Sequence, residues 1–214
     1  MKIRVFACAV LLAGACACDS IYYGLMEKVG VHKRDIMVDR VEEARDAQQE
    51  AKEQFLTAMD QFKSVVNFQG GDLEREYNKL AATLKKSEAD AQAVRNRIKA
   101  VSDVSEAMFK EWRDEIKQYA NENLRSSSQR KYDMTKAKYV ALIGAMNEAE
   151  AKLEPALIPL RDQVLFMKHN LNAKAIAGLS EEVVTVQMNV DRLVIDMEAA
   201  IAQADSFIAS LHEE

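Results

Sequence analysis

From Lys33 onward, apolar residues recur in alternating steps of four and three, the spacing of a heptad repeat. The first run is Met37, Val41, Ala44, Gln48, Ala51, Phe55, Ala58, Phe62 and Val65. It stops at Asn67-Phe68-Gln69-Gly70-Gly71, where paired glycines can take the positive φ values that end a helix and reverse the chain. Asp72 follows as the N-cap, its carboxylate placed to accept free amide hydrogens of the next helix. The second run passes through Leu73, Tyr77, Leu80, Leu84, Ser87, Ala91, Val94, Ile98, Val101, Ser105, Met108 and Trp112, and no glycine or proline interrupts residues 72–143. The polar stretch 121–129 predicts its end, with Ser126-Ser127-Ser128 as turn and next cap. A third run carries Tyr132, Tyr139, Leu142, Met146, Ala149 and Leu153. Pro155 and Pro159 then delete intrahelical hydrogen bonds, which predicts a bend, with helix continuing through Leu160, Val164, Met167 and Leu171. Gly178 and Ser180 mark the last break. The fourth run is Val183, Val186, Val190, Leu193, Met197, Ala200, Ala204, Phe207 and Leu211.

Four heptad runs with short connections predict an all-α fold, an elongated antiparallel coiled coil built as a bundle of four long helices. Alanine alternates with Leu, Phe or Met in the seams, which lets helices approach closely and interdigitate. At about 1.5 Å per residue, the first helix would span roughly 50 Å and the second roughly 80 Å. The second helix therefore overruns the start of the first. Ile21, Tyr22, Leu25 and Val29, if helical, are spaced to cover that overhang. Near the expected Ser126 turn sit Arg125, Arg130, Lys131, Lys136 and Lys138, a group suited to anionic lipid heads at about 1 kcal/mol per well-placed charge. An ordinary solvated helix end accounts for the same residues.

Composition agrees with long helices. Ala, Glu, Lys, Leu and Arg dominate, and the 214 residues hold only seven glycines and two prolines. A net charge of −5 offers no basic field for nucleic acid. No cysteine follows Cys18, which excludes a CxxC redox or zinc motif in the body of the chain.

The amino terminus has a different character. Lys2 and Arg4 precede an uncharged run, residues 5–17, too short to span a bilayer as a helix. A basic start, a short apolar run and small residues describe a secretory signal peptide. Cys16, preceded by Ala-Gly-Ala, and Cys18, preceded by Ala-Cys-Ala, each look like the acylated cysteine of a bacterial lipoprotein, although neither has leucine three residues upstream. The division expected is a signal peptide over 1–17, an anchor segment with a short helix over 18–32, and one elongated helical-bundle domain over 33–214. Cleavage to a soluble secreted product is the competing reading.

The segment CDSIYYGLMEKVGVHKRDIMVDRVEEARDAQQEAKEQF, with FKSVVNFQGGDL and RDQVLFMKHNLNAKAIA further on, resembles a family of gammaproteobacterial lipoproteins that carries a domain of unknown function (2959). The resemblance covers nearly the whole chain after Cys18. It implies that the acceptor cysteine precedes the Tyr22-Tyr23 segment, favouring Cys18 over Cys16. It implies no activity, because the family has none assigned. Asp19 after an acylated Cys18 would favour retention in the inner membrane, whereas Ala17 after Cys16 would permit export to the outer membrane.

Catalytic motifs are missing. There is no G-x-x-x-x-G-K-[ST] loop to cradle phosphates, so a coiled-coil ATPase is not expected. His32, His169 and His212 form no HExxH pairing, and Glu-x-x-His, the pattern of helix-bundle di-metal sites, does not occur in the helices. His32 heads a basic cluster with Lys33 and Arg34, a second candidate for lipid or partner contact, while His169 belongs toward the opposite end. Tyr22 and Tyr23 suit a membrane interface or packing against the overhang. Trp112, on a seam, reads as core. These features predict a lipid-anchored periplasmic scaffold or binding protein without catalytic activity or cofactor, attached to the membrane through its acylated cysteine. An envelope protein is the expected partner, and oligomerisation is compatible with the pattern. A membrane-contacting or membrane-shaping protein is the first alternative. The second is an envelope enzyme whose site forms only in three dimensions.

Overall fold

A computed structural model describes residues 32–68, 70–172, 174, 176 and 178–212. The leader, Cys16, Cys18 and the segment from Ile21 to Val29 lie outside the described residues. Five helices follow in order: α1 (Lys33–Val66), α2 (Leu73–Ile116), α3 (Glu122–Ala151), α4 (Leu153–His169) and α5 (Ser180–His212). No strand occurs among the described residues. The fold is an all-α helical bundle.

The heptad runs are the core. Every seam position of the first run is buried, with Met37, Val41, Phe55 and Phe62 at 0 % exposure. On α2, α3 and α5 the same holds, with Leu73, Tyr77, Trp112, Tyr139 and Val183 packed partly buried against the core cluster. Burying a large apolar side chain is worth about 1.5–3 kcal/mol, so these continuous seams hold the molecule together.

Polar side chains on the flanks fix the register. Gln54 Nε2 donates to the Thr83 carbonyl at 3.0 Å, Lys86 Nζ lies 3.2 Å from Glu50, and Arg97 Nη1 lies 2.8 Å from Glu43, pairing α1 and α2 antiparallel. Lys52 to Glu198 (3.4 Å) and Arg45 to Asp205 (3.1 Å) set α5 antiparallel to α1. Arg95 reaches Glu150 and Glu154, both at 3.2 Å, and Arg161 reaches Glu88 at 2.9 Å, so α3 and α4 follow one another along α2. The path is up, down, up along α3–α4, and down.

The α1–α2 turn forms as its sequence predicts. Gly70 and Gly71 have φ of 130° and 118°, and the Asp72 carboxylate accepts from the Arg75 amide at 3.0 Å. The break between α3 and α4 is a single residue, Lys152, and Pro155 explains it. Its nitrogen cannot donate to the Ala151 carbonyl and its ring crowds that oxygen, so the first helix must stop. Pro159 lies inside α4.

Three expectations need correction. The second reversal is not at Ser126-Ser127-Ser128, which lie within α3. It falls at residues 117–121, where the Asn121 side chain accepts the amides of Asn123 at 2.9 Å and Leu124 at 3.2 Å. With those amides satisfied, the serines simply continue the helix. Consequently α2 has 44 residues, about 66 Å rather than 80 Å. Finally, α4 ends at His169, so Leu171 lies outside it and is 38 % exposed.

Candidate functional site

The up-and-down path brings the start of α1, the end of α2, the lower part of α3 and the end of α5 together. There His32 caps the start of α1, its extended backbone (φ −79°, ψ 148°) leaving its carbonyl to accept the amides of Asp35 and Ile36 at 3.0 and 3.2 Å. A cleft of about 260 Å³ opens at this end, lined by His32, Lys33, Arg34, Glu111, Trp112 and Leu211 among others. Its buried lining is Met108, Leu211 and Thr135. On its rim Lys33 Nζ lies 2.9 Å from Glu111 Oε2, and this ion pair sets the start of α1 level with Glu111. From Glu111, α2 runs on to Ile116, and α3 begins only at Glu122, so the α2–α3 hairpin extends past the start of α1.

Aromatic side chains stiffen that hairpin. Phe109 and Trp112 meet the Tyr132 ring edge-on, with centroids 5.6 and 5.7 Å apart, and Phe109 lies 5.4 Å from Tyr139. Such pairs add about 0.5–1.5 kcal/mol each beyond their burial. The indole N–H of Trp112 donates to Ser128 Oγ at 2.9 Å, and Lys136 Nζ stands 5.6 Å from the Tyr132 centroid. Trp112 is thus a packed, hydrogen-bonded residue. Sequence periodicity placed it on the seam. Phe109, one position off the seam, and Glu111 as the Lys33 partner carried no signal of their own.

The predicted basic residues do not gather into one patch. His32, Lys33 and Arg34 line the cleft beside Glu111 and Glu115. Arg125 pairs with Glu122 at 2.6 Å, and Lys138 lines a shallow groove between α3 and α5 with Gln203 and Ser206. At 100° per residue, Arg125, Arg130, Lys131, Lys136 and Lys138 wind around α3 rather than share a face. At the turn itself, the Lys117 ammonium 2.8 Å from Asp114 holds that carboxyl below the usual aspartate range. Gly70 and Gly71 lie at the other end of the rod.

Chemically the cleft is modest. Its volume is below the roughly 300–1,000 Å³ of ordinary ligand pockets. Among the described residues no group of three or more His, Cys, Asp or Glu is placed to hold a metal, and no helix is long and apolar enough to cross a membrane.

A family model described as "Protein of unknown function (DUF2959)" matches residues 22–211. No curated protein matches the chain.

Proposed function

Since the chain belongs to the DUF2959 family, which brings no activity with it, we propose from its own geometry that it is a non-catalytic helical scaffold of the bacterial envelope. In this reading acylated Cys18, or Cys16 in its place, tethers it to a membrane, and the rod presents a partner-binding surface at a distance. One observation carries the reading. α1 starts at Lys33, at one end of a continuously packed bundle, and its length puts the Gly70-Gly71 turn about 50 Å away. A tether reaching the bundle at the start of α1 would leave the opposite end outermost.

Two measurements test it. Acyl labelling should be lost in Cys18→Ala or Cys16→Ala, and label retained in both single variants and in the double variant would end the tether. In-cell photo-crosslinking from Glu74, beside the distal turn, and from Tyr119, on the hairpin turn, should give specific protein adducts at one end at least. Adducts at neither position would remove the scaffold.

A second reading, direct membrane contact, draws on Tyr119 and Leu124. They are 40 % and 55 % exposed on either side of the Asn121 cap, at the same end as the start of α1. The ion pairs of Lys117 and Arg125 within their own helices make apolar insertion the stronger contribution there. Vesicle co-sedimentation of the unacylated chain should fall in Tyr119→Ser/Leu124→Ser; sedimentation equal to wild type would dispose of this contact.

A further inference from the structure

The helix α5 has two faces that both follow the heptad spacing. One is the buried seam. On the opposite side, Val184, Met188 and Ile195 fall within an arc of about 40° and are 62 %, 49 % and 63 % exposed. Their spacing, i, i+4 and i+11, is that of the anchors by which one helix takes up another, with Asp191 at the i+7 position. The neighbouring helix contributes to the same face. One turn on from the Lys52–Glu198 pair, Leu56 of α1 stands level with Val194 and Ile195, and it is 40 % exposed. All four residues lie in the half of the rod away from His32.

The charge of the α5 helix itself is predominantly acidic, although Arg192 borders the stripe and Lys52 of α1 pairs with Glu198. α5 carries Glu181, Glu182, Asp191, Asp196, Glu198 and Asp205 against Arg192 alone, a net charge of −5 that equals that of the whole chain. Asp191 and Glu198 border the stripe on one side, and Glu181 and Arg192 on the other.

We propose that this distal α1–α5 face docks an amphipathic helix of another protein, one with an apolar stripe flanked by Lys and Arg. The charges choose among occupants. A second copy laid on its own α5 would bring together two helices of net charge −5, and juxtaposed like charges are destabilising at an interface. An anionic lipid surface would repel the same helix. A basic helix buries the stripe and meets the carboxylates, with one of its cations opposite Asp191. The inference deepens the scaffold reading by giving its partner a chemistry.

The test uses the full chain in nanodiscs of zwitterionic lipid, with empty nanodiscs as reference. The probes are two labelled heptad peptides of equal length, one with leucine seams and lysine flanks, the other with leucine seams and glutamate flanks. The lysine peptide should bind and weaken with added salt, and the glutamate peptide should not bind. Combining Val184→Gln, Met188→Gln and Ile195→Gln should cost at least about tenfold in affinity, as loss of central apolar anchors does. Met134→Gln/Val140→Gln, on exposed apolar residues of α3, should leave binding within about twofold, the effect expected of residues outside the contact. Equal binding of the two peptides, or unchanged binding of the triple variant, would overturn the proposal. So would a wild-type dimer in sedimentation equilibrium that the triple variant abolishes, since the occupant would then be a second copy. Failure here alongside specific in-cell crosslinks from Glu74 would overturn the partner's chemistry and leave the scaffold standing.

Discussion

Gln48 is fully buried on the α1 seam, between Ala44 and Ala51, and neither its amide nitrogen nor its amide oxygen has a hydrogen-bond partner. A buried polar group left unpaired costs about 1–3 kcal/mol. Gln48→Leu should therefore raise stability by about that amount, read as a higher midpoint in thermal or urea unfolding; a lower midpoint would mean that the amide has a structural use. Ser87 and Ser105, also on seams, differ in kind. Their hydroxyls donate to carbonyls four residues back, Thr83 at 3.1 Å and Val101 at 2.6 Å, so burial leaves them satisfied. Periodicity identified all three as seam residues. It could not tell a serine that bonds its own helix from a glutamine whose longer amide overreaches it, because that depends on what faces the side chain.

Element ends divide in the same way. The Gly70-Gly71 turn was legible because no other residue pair there takes positive φ without strain, and Asp72 followed at once. The lower turn was not, since Asn121, Asn123 and the three serines over 121–129 can each cap a helix and the apolar period resumes only at Tyr132. With no seam residue to mark the helix start, the serine triplet looked as good as Asn121. The cap geometry separates them. Asn121→Ala should cost about 1 kcal/mol, the usual value of an N-cap, while Ser126→Ala should be near neutral. Equal effects in denaturant titrations would put the helix start elsewhere. Ser128→Ala should cost more than Ser126→Ala, because it strands the Trp112 indole N–H. The basic residues of α3 are near one another in sequence, but a helix distributes residues five or six apart around its circumference.

At the scale of the whole molecule, charged residues link the helices that the seams bury. Glu154 lies between Arg161 at 3.1 Å and Arg95 at 3.2 Å, joining α4 to α2. Those hydrogen bonds, Arg161 first, hold its carboxyl below the usual glutamate range. The folded pKa is depressed, so the linked stability is complete above the ordinary glutamate value of about 4.3 and is lost as pH falls through the folded value. Glu154→Gln should then be less stable than wild type at pH 7 and approach it in strong acid, as unfolding midpoints across that range would show. A constant difference would detach the effect from ionisation. The bundle, its antiparallel order and its overhang were all present in the heptad runs and their lengths. The acidic, apolar outer face of α5 was also there, as a second heptad period beside the first, but only burial shows which of two such faces is the core.

The shared end of α1 and α5 has a mechanical consequence. His32 and Leu211 line one cleft there, so force applied between residues 32 and 212 peels the two helices apart one seam layer at a time. A load borne on the distal α5 stripe and resisted at residue 32 instead pulls along the helix axes. Every layer between α1 and its neighbours is then sheared at once, and many must fail together. In single-molecule pulling, the second geometry should rupture at clearly higher force than the first, which makes the rod weak as a hinge and strong as a strut.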